Sequence, residues 1–225
     1  MKKISFFILA LFFSYNAPGQ DADKVLIPDS SPTFFESHHY WAIGLHYSSA
    51  DRFSSDAYIS GSVNGSVNYE AKTDTAFTLS AEFGQSKSEG LGFNAGLGYD
   101  TKRTISSITA KGAGGTSTSN KASDSFSVTT VYYNPVYYFD RIALNAGINY
   151  SIPKYEPAEP GYVAYATGAI GYQAGLSYFA NEKFLLNLDY RVIKMDLDLS
   201  YPTLIIDFGR IEIKGIQFGV KYLFK

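Results

Sequence analysis

The stretch Gly215-Ile216-Gln217-Phe218-Gly219-Val220-Lys221-Tyr222-Leu223-Phe224 decides the fold. Successive side chains of an extended chain point to opposite faces. Ile216, Phe218, Val220, Tyr222 and Phe224 therefore share one face, and Gln217, Gly219, Lys221 and Leu223 the other. A helix would scatter both sets. One face is apolar and aromatic, and the other is mostly small and polar.

The same period of two recurs upstream. It predicts strands over about 39–48, 74–84, 90–100, 125–139, 142–152, 164–179, 184–198 and 209–224. In the first, Trp41, Ile43, Leu45 and Tyr47 oppose Ala42, Gly44 and His46. In the second, Phe77, Leu79, Ala81 and Phe83 oppose Thr78, Ser80, Glu82 and Gly84. In the third, Leu91, Phe93, Ala95, Leu97 and Tyr99 oppose Gly92, Asn94, Gly96, Gly98 and Asp100. The fifth, sixth and seventh repeat the pattern. In the fourth the alternation fails around Pro135, which cannot donate to a ladder, so a bulge or strand end is expected there.

The connections alternate in length. Gln85–Glu89, Asp140–Arg141 and Ala180–Lys183 read as short turns, whereas 49–73, 101–124, 152–163 and 199–208 read as long loops. Short turns on one side and long loops on the other mark an up-and-down barrel of outer-membrane type. An even strand count puts both chain ends on the short-turn side.

Hydrocarbon satisfies no free backbone group, so a sheet that spans it must close. A tilted crossing takes ~9–11 residues, about the length of these segments. The expectation is an all-β fold: a closed, eight-stranded, antiparallel up-and-down transmembrane β-barrel. Its apolar face meets lipid and its Gly-, Asn- and Ser-rich face lines the lumen. A soluble barrel with an apolar interior is disfavoured, because the polar faces of the first six strands carry almost no Lys or Glu. Aromatics also gather at two levels: Trp41, Phe83, Tyr178, Phe184, Tyr222 and Phe224 near the turns, and Tyr47, Tyr99 and Tyr150 near the loops. Two such levels fit interfacial girdles.

Met1-Lys2-Lys3, an apolar run from Ile4 to Phe13, and Ala17 and Gly19 read as a secretory signal peptide over 1–19. The run is too short to span a bilayer as a helix. Residues 20–38, with Pro28 and Pro32, read as a periplasmic lead-in, and 39–225 as the barrel. Without Lys2 and Lys3, the 19 Lys+Arg fall to 17 against 21 Asp+Glu, a formal charge of −4. An acidic chain lacks the basic face that nucleic acid requires. With no cysteine, neither a disulfide framework nor a zinc-thiolate site is available.

Over residues 39–225 the chain resembles small outer-membrane β-barrel proteins of the OmpA/OmpX and "porin family" type. The resemblance rests on the signal peptide, the eight alternating segments, the loop asymmetry and the terminal strand quoted above. It implies residence in a Gram-negative outer membrane, with lipid around the barrel and the barrel-assembly machinery as partner during biogenesis. Members typically end on the aromatic residue, whereas here Lys225 follows Phe224.

No cofactor, metal or catalytic set is expected. His38 and His46 lie ~26 Å apart along an extended strand, and His39 faces the other way. Gly90-Leu91-Gly92-Phe93-Asn94-Ala95 matches a loose dinucleotide pattern, but it sits inside a strand rather than before a helix. A Ser/His/Asp set around His46 has nothing to fix nucleophile and base within reach. Asp196 and Asp198 share a face at the membrane exit and read first as a solvated edge, with a weak divalent-ion site as the alternative.

The inward charges carry more information. Glu82, Asp189, Arg191 and Lys221 all point into the lumen by parity, and buried charges must pair. Glu82 and Lys221 sit at similar depth with strand one between them, a gap of ~10 Å that a lysine can bridge. A plug of ion pairs is expected, with separate hydration of each charge as the competing reading. Eight strands leave room only for side chains. The function expected first is structural or surface-interacting, exercised through the long loops. The alternatives are a narrow or gated pore, and a lipid-modifying enzyme.

Overall fold

Strand formation here follows two burial rules, one for each end of the molecule. The computed structural model describes residues 38–49, 51–62, 64–119 and 124–224. The expected signal peptide, most of the lead-in and Lys225 lie outside these residues; His38, expected to close the lead-in, opens the first strand.

The strands are β1 (His38–Ser48), β2 (Arg52–Gly61), β3 (Gly65–Thr73), β4 (Ala76–Ser86), β5 (Glu89–Gly112), β6 (Gly115–Ser119), β7 (Ser125–Phe139), β8 (Ile142–Glu156), β9 (Val163–Phe179), β10 (Phe184–Tyr201) and β11 (Leu204–Phe224). Pairing is antiparallel in the order β1-β4-β5-β7-β8-β9-β10-β11, and β11 returns to β1 with Trp41 opposite Phe224 and Ser48 opposite Gln217. The ring has eight strands and is closed.

Two kinds of expectation are corrected, the first about the connections. The segments read as loops over 49–73 and 101–124 are largely strand. β2 and β3 form a hairpin that takes the place of β1 and β4 in the outer wall, with β2 against β11 and β3 against β5. β5 runs on to Gly112 and folds back as β6. The expected loop 199–208 shrinks to the turn at Pro202 and Thr203. β11 is 21 residues long, about twice what a tilted bilayer crossing needs. The wall therefore continues well above the membrane. Its longest gap in pairing is between Asp207 and Lys214, where β11 leaves the β2 ladder and the Ser55 hydroxyl donates to the Phe208 carbonyl.

The second correction concerns Pro135. β7 passes through it without a break, with Pro135 opposite Phe93 and the same β7–β8 register before and after. The alternation is intact in space, with Val131, Tyr133, Tyr137 and Phe139 exposed and Val128, Thr130, Asn134, Val136 and Tyr138 buried. It was hidden because the buried set is itself partly apolar.

The interior has three layers. At the short-turn end Tyr40, Ala42, Val136, Tyr138, Ala143, Phe179, Leu185 and Leu223 form an apolar floor. A polar and charged layer sits above it. Higher still, Phe53, Ile105, Phe126, Val128, Ile193, Met195, Leu197, Phe208, Ile211 and Ile213 pack into a second apolar core. Outside the middle layer the surface is an unbroken apolar belt, including Ile43, Leu45, Leu79, Leu97, Ile148, Ile170, Leu188, Ile216 and Phe218, all exposed. So large a contiguous apolar surface is tolerated in lipid and not in water.

Candidate functional site

The polar layer is built by strands that alternate glycines with long side chains. A Cβ on Gly96 would stand 2.6 Å from the Tyr132 hydroxyl, and one on Gly84 2.6 Å from that of Tyr40. A Cβ on Gly44 would meet Ser80 Oγ at 2.4 Å and Lys221 Cγ at 2.9 Å. Small residues on one strand are thus the space into which the neighbours' large side chains lie.

That space lets Lys221 cross β1 to Glu82. Lys221 Nζ donates to Glu82 Oε2 at 2.6 Å. Tyr132 donates to the same oxygen at 2.9 Å and Tyr40 to Oε1 at 2.9 Å. Glu82 is only 1% exposed, so all its stabilisation comes from these three donors. The other two expected lumen charges are not part of this cluster. Arg191 donates to Asp100 Oδ2 at 2.5 Å. Asp189 accepts from Asn145 Nδ2 at 3.2 Å and from Asn187, and it forms no ion pair among the described residues.

Arg191 belongs to a second network one level higher. Asp100 also takes a hydrogen bond from Thr78 at 2.6 Å and lies 3.6 Å from Arg103, which donates to Asp51 Oδ2 at 2.6 Å. The order Asp51–Arg103–Asp100–Arg191 alternates in sign. Asp51 and Arg103 were not in the expected set because they fall in segments read as loop. A register shift between Asp100 and Arg103 turns Arg103 inward. Asp100 was already on the inward face of its strand, and its depth beside Arg191 is the signal that would have found it.

The expected girdle residues divide by level. Trp41, Phe184 and Phe224 are exposed at the short-turn end, while Phe83, Tyr178 and Tyr222 are half-buried. Phe83 packs against Trp41 with centroids 5.1 Å apart, and Tyr222 lies 5.3 Å from Phe184 and 4.8 Å from Phe224. At the other end Tyr47, Tyr99 and Tyr150 are exposed, joined by Phe77, Tyr172 and Tyr190.

One arrangement departs from the sequence reading. His46 and Ser80 do come within reach, with Nε2 3.0 Å from Oγ, and Asn187 Nδ2 lies 3.1 Å from His46 Nδ1. The Asn187 amide also donates to Asp189, which fixes its NH2 toward the imidazole. Nδ1 is then the acceptor and Nε2 carries the proton. The ring donates to Ser80 instead of taking its proton, the wrong tautomer for activating a nucleophile.

Free space in the layer is small. A cavity of about 30 Å³ lies among His46, Asn134, Asp189, Arg191 and Lys221, and one of about 10 Å³ among Asp51, Arg103 and Gln217. Larger openings face outward. One of about 290 Å³ at the outer mouth is lined by Tyr69, Tyr162, Leu199, Ile206 and Phe208. A cleft of about 660 Å³ lies beside the β2–β11 irregularity.

No protein-family model matches this sequence, and no curated protein is significantly similar to it. Solved structures are similar. The outer membrane protein OprG from Pseudomonas aeruginosa aligns at 17% identity and TM-score 0.53, over 84% of this chain and 98% of its own. The outer membrane protein AlkL, determined in lipid bilayers, aligns at 15% identity and TM-score 0.53, over 94% of this chain and 96% of its own. The fold is that of the small outer-membrane β-barrels.

Proposed function

We propose that this protein is a non-conducting, non-enzymatic outer-membrane barrel that acts through the wall it raises above the membrane. The observation that carries this reading is the filled lumen. An apolar floor, two charged networks and an outer apolar core stand in series along the axis, with small spaces of about 30 and 10 Å³ among the charged side chains. A hydrated ion has no path through such a stack, which argues against the narrow-pore reading. The His46 tautomer and the closed surroundings of Ser80 argue against hydrolysis.

The part available for interaction is therefore the outer surface: the β2–β3 hairpin, the β5–β6 hairpin and the apolar mouth. These elements are strand-built, so they present a shaped surface rather than flexible tethers. The test is single-channel recording of refolded protein in planar bilayers, beside a heat-modifiability gel that verifies folding. Folded protein without discrete openings supports the reading; steady openings from folded protein refute it.

A further inference from the structure

Three cations stand in one row across three neighbouring strands of the outer wall. Lys214 of β11 pairs in register with Arg52 of β2, and Arg52 with Lys72 of β3. All three side chains are exposed. Like charges directly opposite on paired strands destabilise a sheet unless an anion lies between them. The nearby carboxylates are largely committed to other cations. Glu70 is held by Lys111 at 3.3 Å, and Asp196 by Arg210 at 3.0 Å. Glu212 is shared between Lys194 at 2.8 Å and Lys214 at 3.0 Å. Arg52 and Lys72 have no ion pair among the described residues, so the band carries an excess of positive charge.

The height of the row is set by its neighbours. Lys214 is two residues above Ile216, the last lipid-facing apolar residue of β11, which is ~7 Å along the strand. Arg52 follows β1 and Lys72 precedes β4 along the chain, and the uppermost exposed aromatics of those two strands are Tyr47 and Phe77. The row thus lies just outside the upper girdle, at the level of lipid headgroups. The three cations line the 660 Å³ cleft beside the β2–β11 irregularity, together with Arg210 and the ion-paired Glu70 and Glu212, so four cations face two carboxylates there.

We infer that this cleft binds the phosphate of an outer-leaflet lipid headgroup, with Arg52 and Lys72 as its main ligands and Lys214 at its edge. Charge complementarity selects an anion, and the depth selects one carried by a lipid. The inference rests on the membrane embedding of the barrel and not on whether the lumen conducts.

The test uses refolded protein in phosphatidylcholine vesicles with trace spin-labelled phosphatidic acid or spin-labelled phosphatidylcholine. The motionally restricted fraction of each label reports lipid at the barrel surface. Restricted phosphatidylcholine shows insertion, and its absence would defeat the membrane reading itself. Wild-type protein is expected to prefer the phosphatidic acid label, and Arg52→Gln/Lys72→Gln to lose about fivefold or more of that preference. Raising salt should weaken the wild-type preference. The control is Lys102→Gln/Lys154→Gln on β5 and β8, outside the cleft lining, where both lysines already share Glu156 at 2.6 and 2.9 Å. It is expected to keep the preference. No preference in the wild type, or an equal loss in the control, would overturn the assignment.

Discussion

Replacing Glu82 by Gln is the most direct probe of the filled lumen. The carboxylate is 1% exposed and takes three hydrogen bonds, from Lys221 at 2.6 Å and from Tyr40 and Tyr132 at 2.9 Å each. The amide keeps one acceptor oxygen and turns the other into a donor. Lys221, itself 6% exposed, then loses its counter-charge while still buried. Breaking a buried pair from one side costs about 3–5 kcal/mol, roughly two orders of magnitude or more in the unfolding equilibrium. Lys221→Met should cost less, because Glu82 keeps both tyrosine donors and the methionine replaces the apolar lysine stem. The double variant should be more stable than Glu82→Gln alone, giving a coupling of at least ~2 kcal/mol. The assay is urea unfolding from lipid vesicles, followed by the heat-modifiable gel shift. Were each charge hydrated separately, the two single effects would be small and additive. A Glu82→Gln variant within ~1 kcal/mol of wild type, or a double variant equal to the sum, would refute the ion-pair account.

Two further perturbations test the wall. A Cβ on Gly168 would stand 1.6 Å from the Ser151 carbonyl oxygen, so Gly168→Ala must part β8 from β9 at that point. The expected cost is about 1–3 kcal/mol, with faster amide exchange beside it; Gly65→Ala, where a Cβ meets nothing within 4 Å, is the neutral comparison. Asp198 faces Asp207 across β10 and β11, and desolvation followed by that neighbour pushes its carboxyl above the usual range. The fold therefore disfavours the ionised form. The penalty is present above the folded pKa and absent below the unfolded value of about 3.9. Asp198→Asn should stabilise by a few tenths of a kcal/mol at pH 7 and lose that gain near pH 3.5; an equal gain at both pH values would contradict the assignment.

The membrane-spanning part of the fold was legible in the sequence because lipid imposes a simple rule on it. Segments such as 142–152 alternate cleanly, and β8 occupies them and only extends beyond, to Glu156. Glu82 and Lys221 were legible from parity and depth. What was not legible came from two physical sources. Register shifts change which face a residue occupies, and Arg103 entered the lumen by one of them. Glycine next to a tyrosine records the space that Tyr132 and Tyr40 fill, but only the cross-strand register says which glycine serves which ring. The partners of Glu82 beyond Lys221 followed from that register.

The outer wall was missed for a different reason, and the reason locates the membrane boundary. In β11, Ile216, Phe218 and Val220 face outward, yet above them Ile211 and Ile213 are buried, and Arg210 and Lys214 face out. β10 does the same: Phe184, Leu188 and Tyr190 are exposed, whereas Ile193, Met195 and Leu197 are buried. From Val220 to Arg210 of β11 the apolar residues move from even to odd positions while the chain keeps its inward and outward parity, and β10 makes the same move across the buried Val192. The solvent has changed, not the strand. In hydrocarbon the apolar set must face out, and in water the same strand must turn it in. Apart from the exposed Tyr58, β2 and β3 follow the water rule, with Phe53, Ala57 and Ala71 buried and Arg52, Glu70 and Lys72 exposed. Judged by the lipid rule they look like loop. A phase slip in the alternation is therefore a boundary marker readable from sequence. Here the slips fall at Val192–Ile193 and between Ile213 and Ile216, beside the row of cations inferred to meet lipid phosphate.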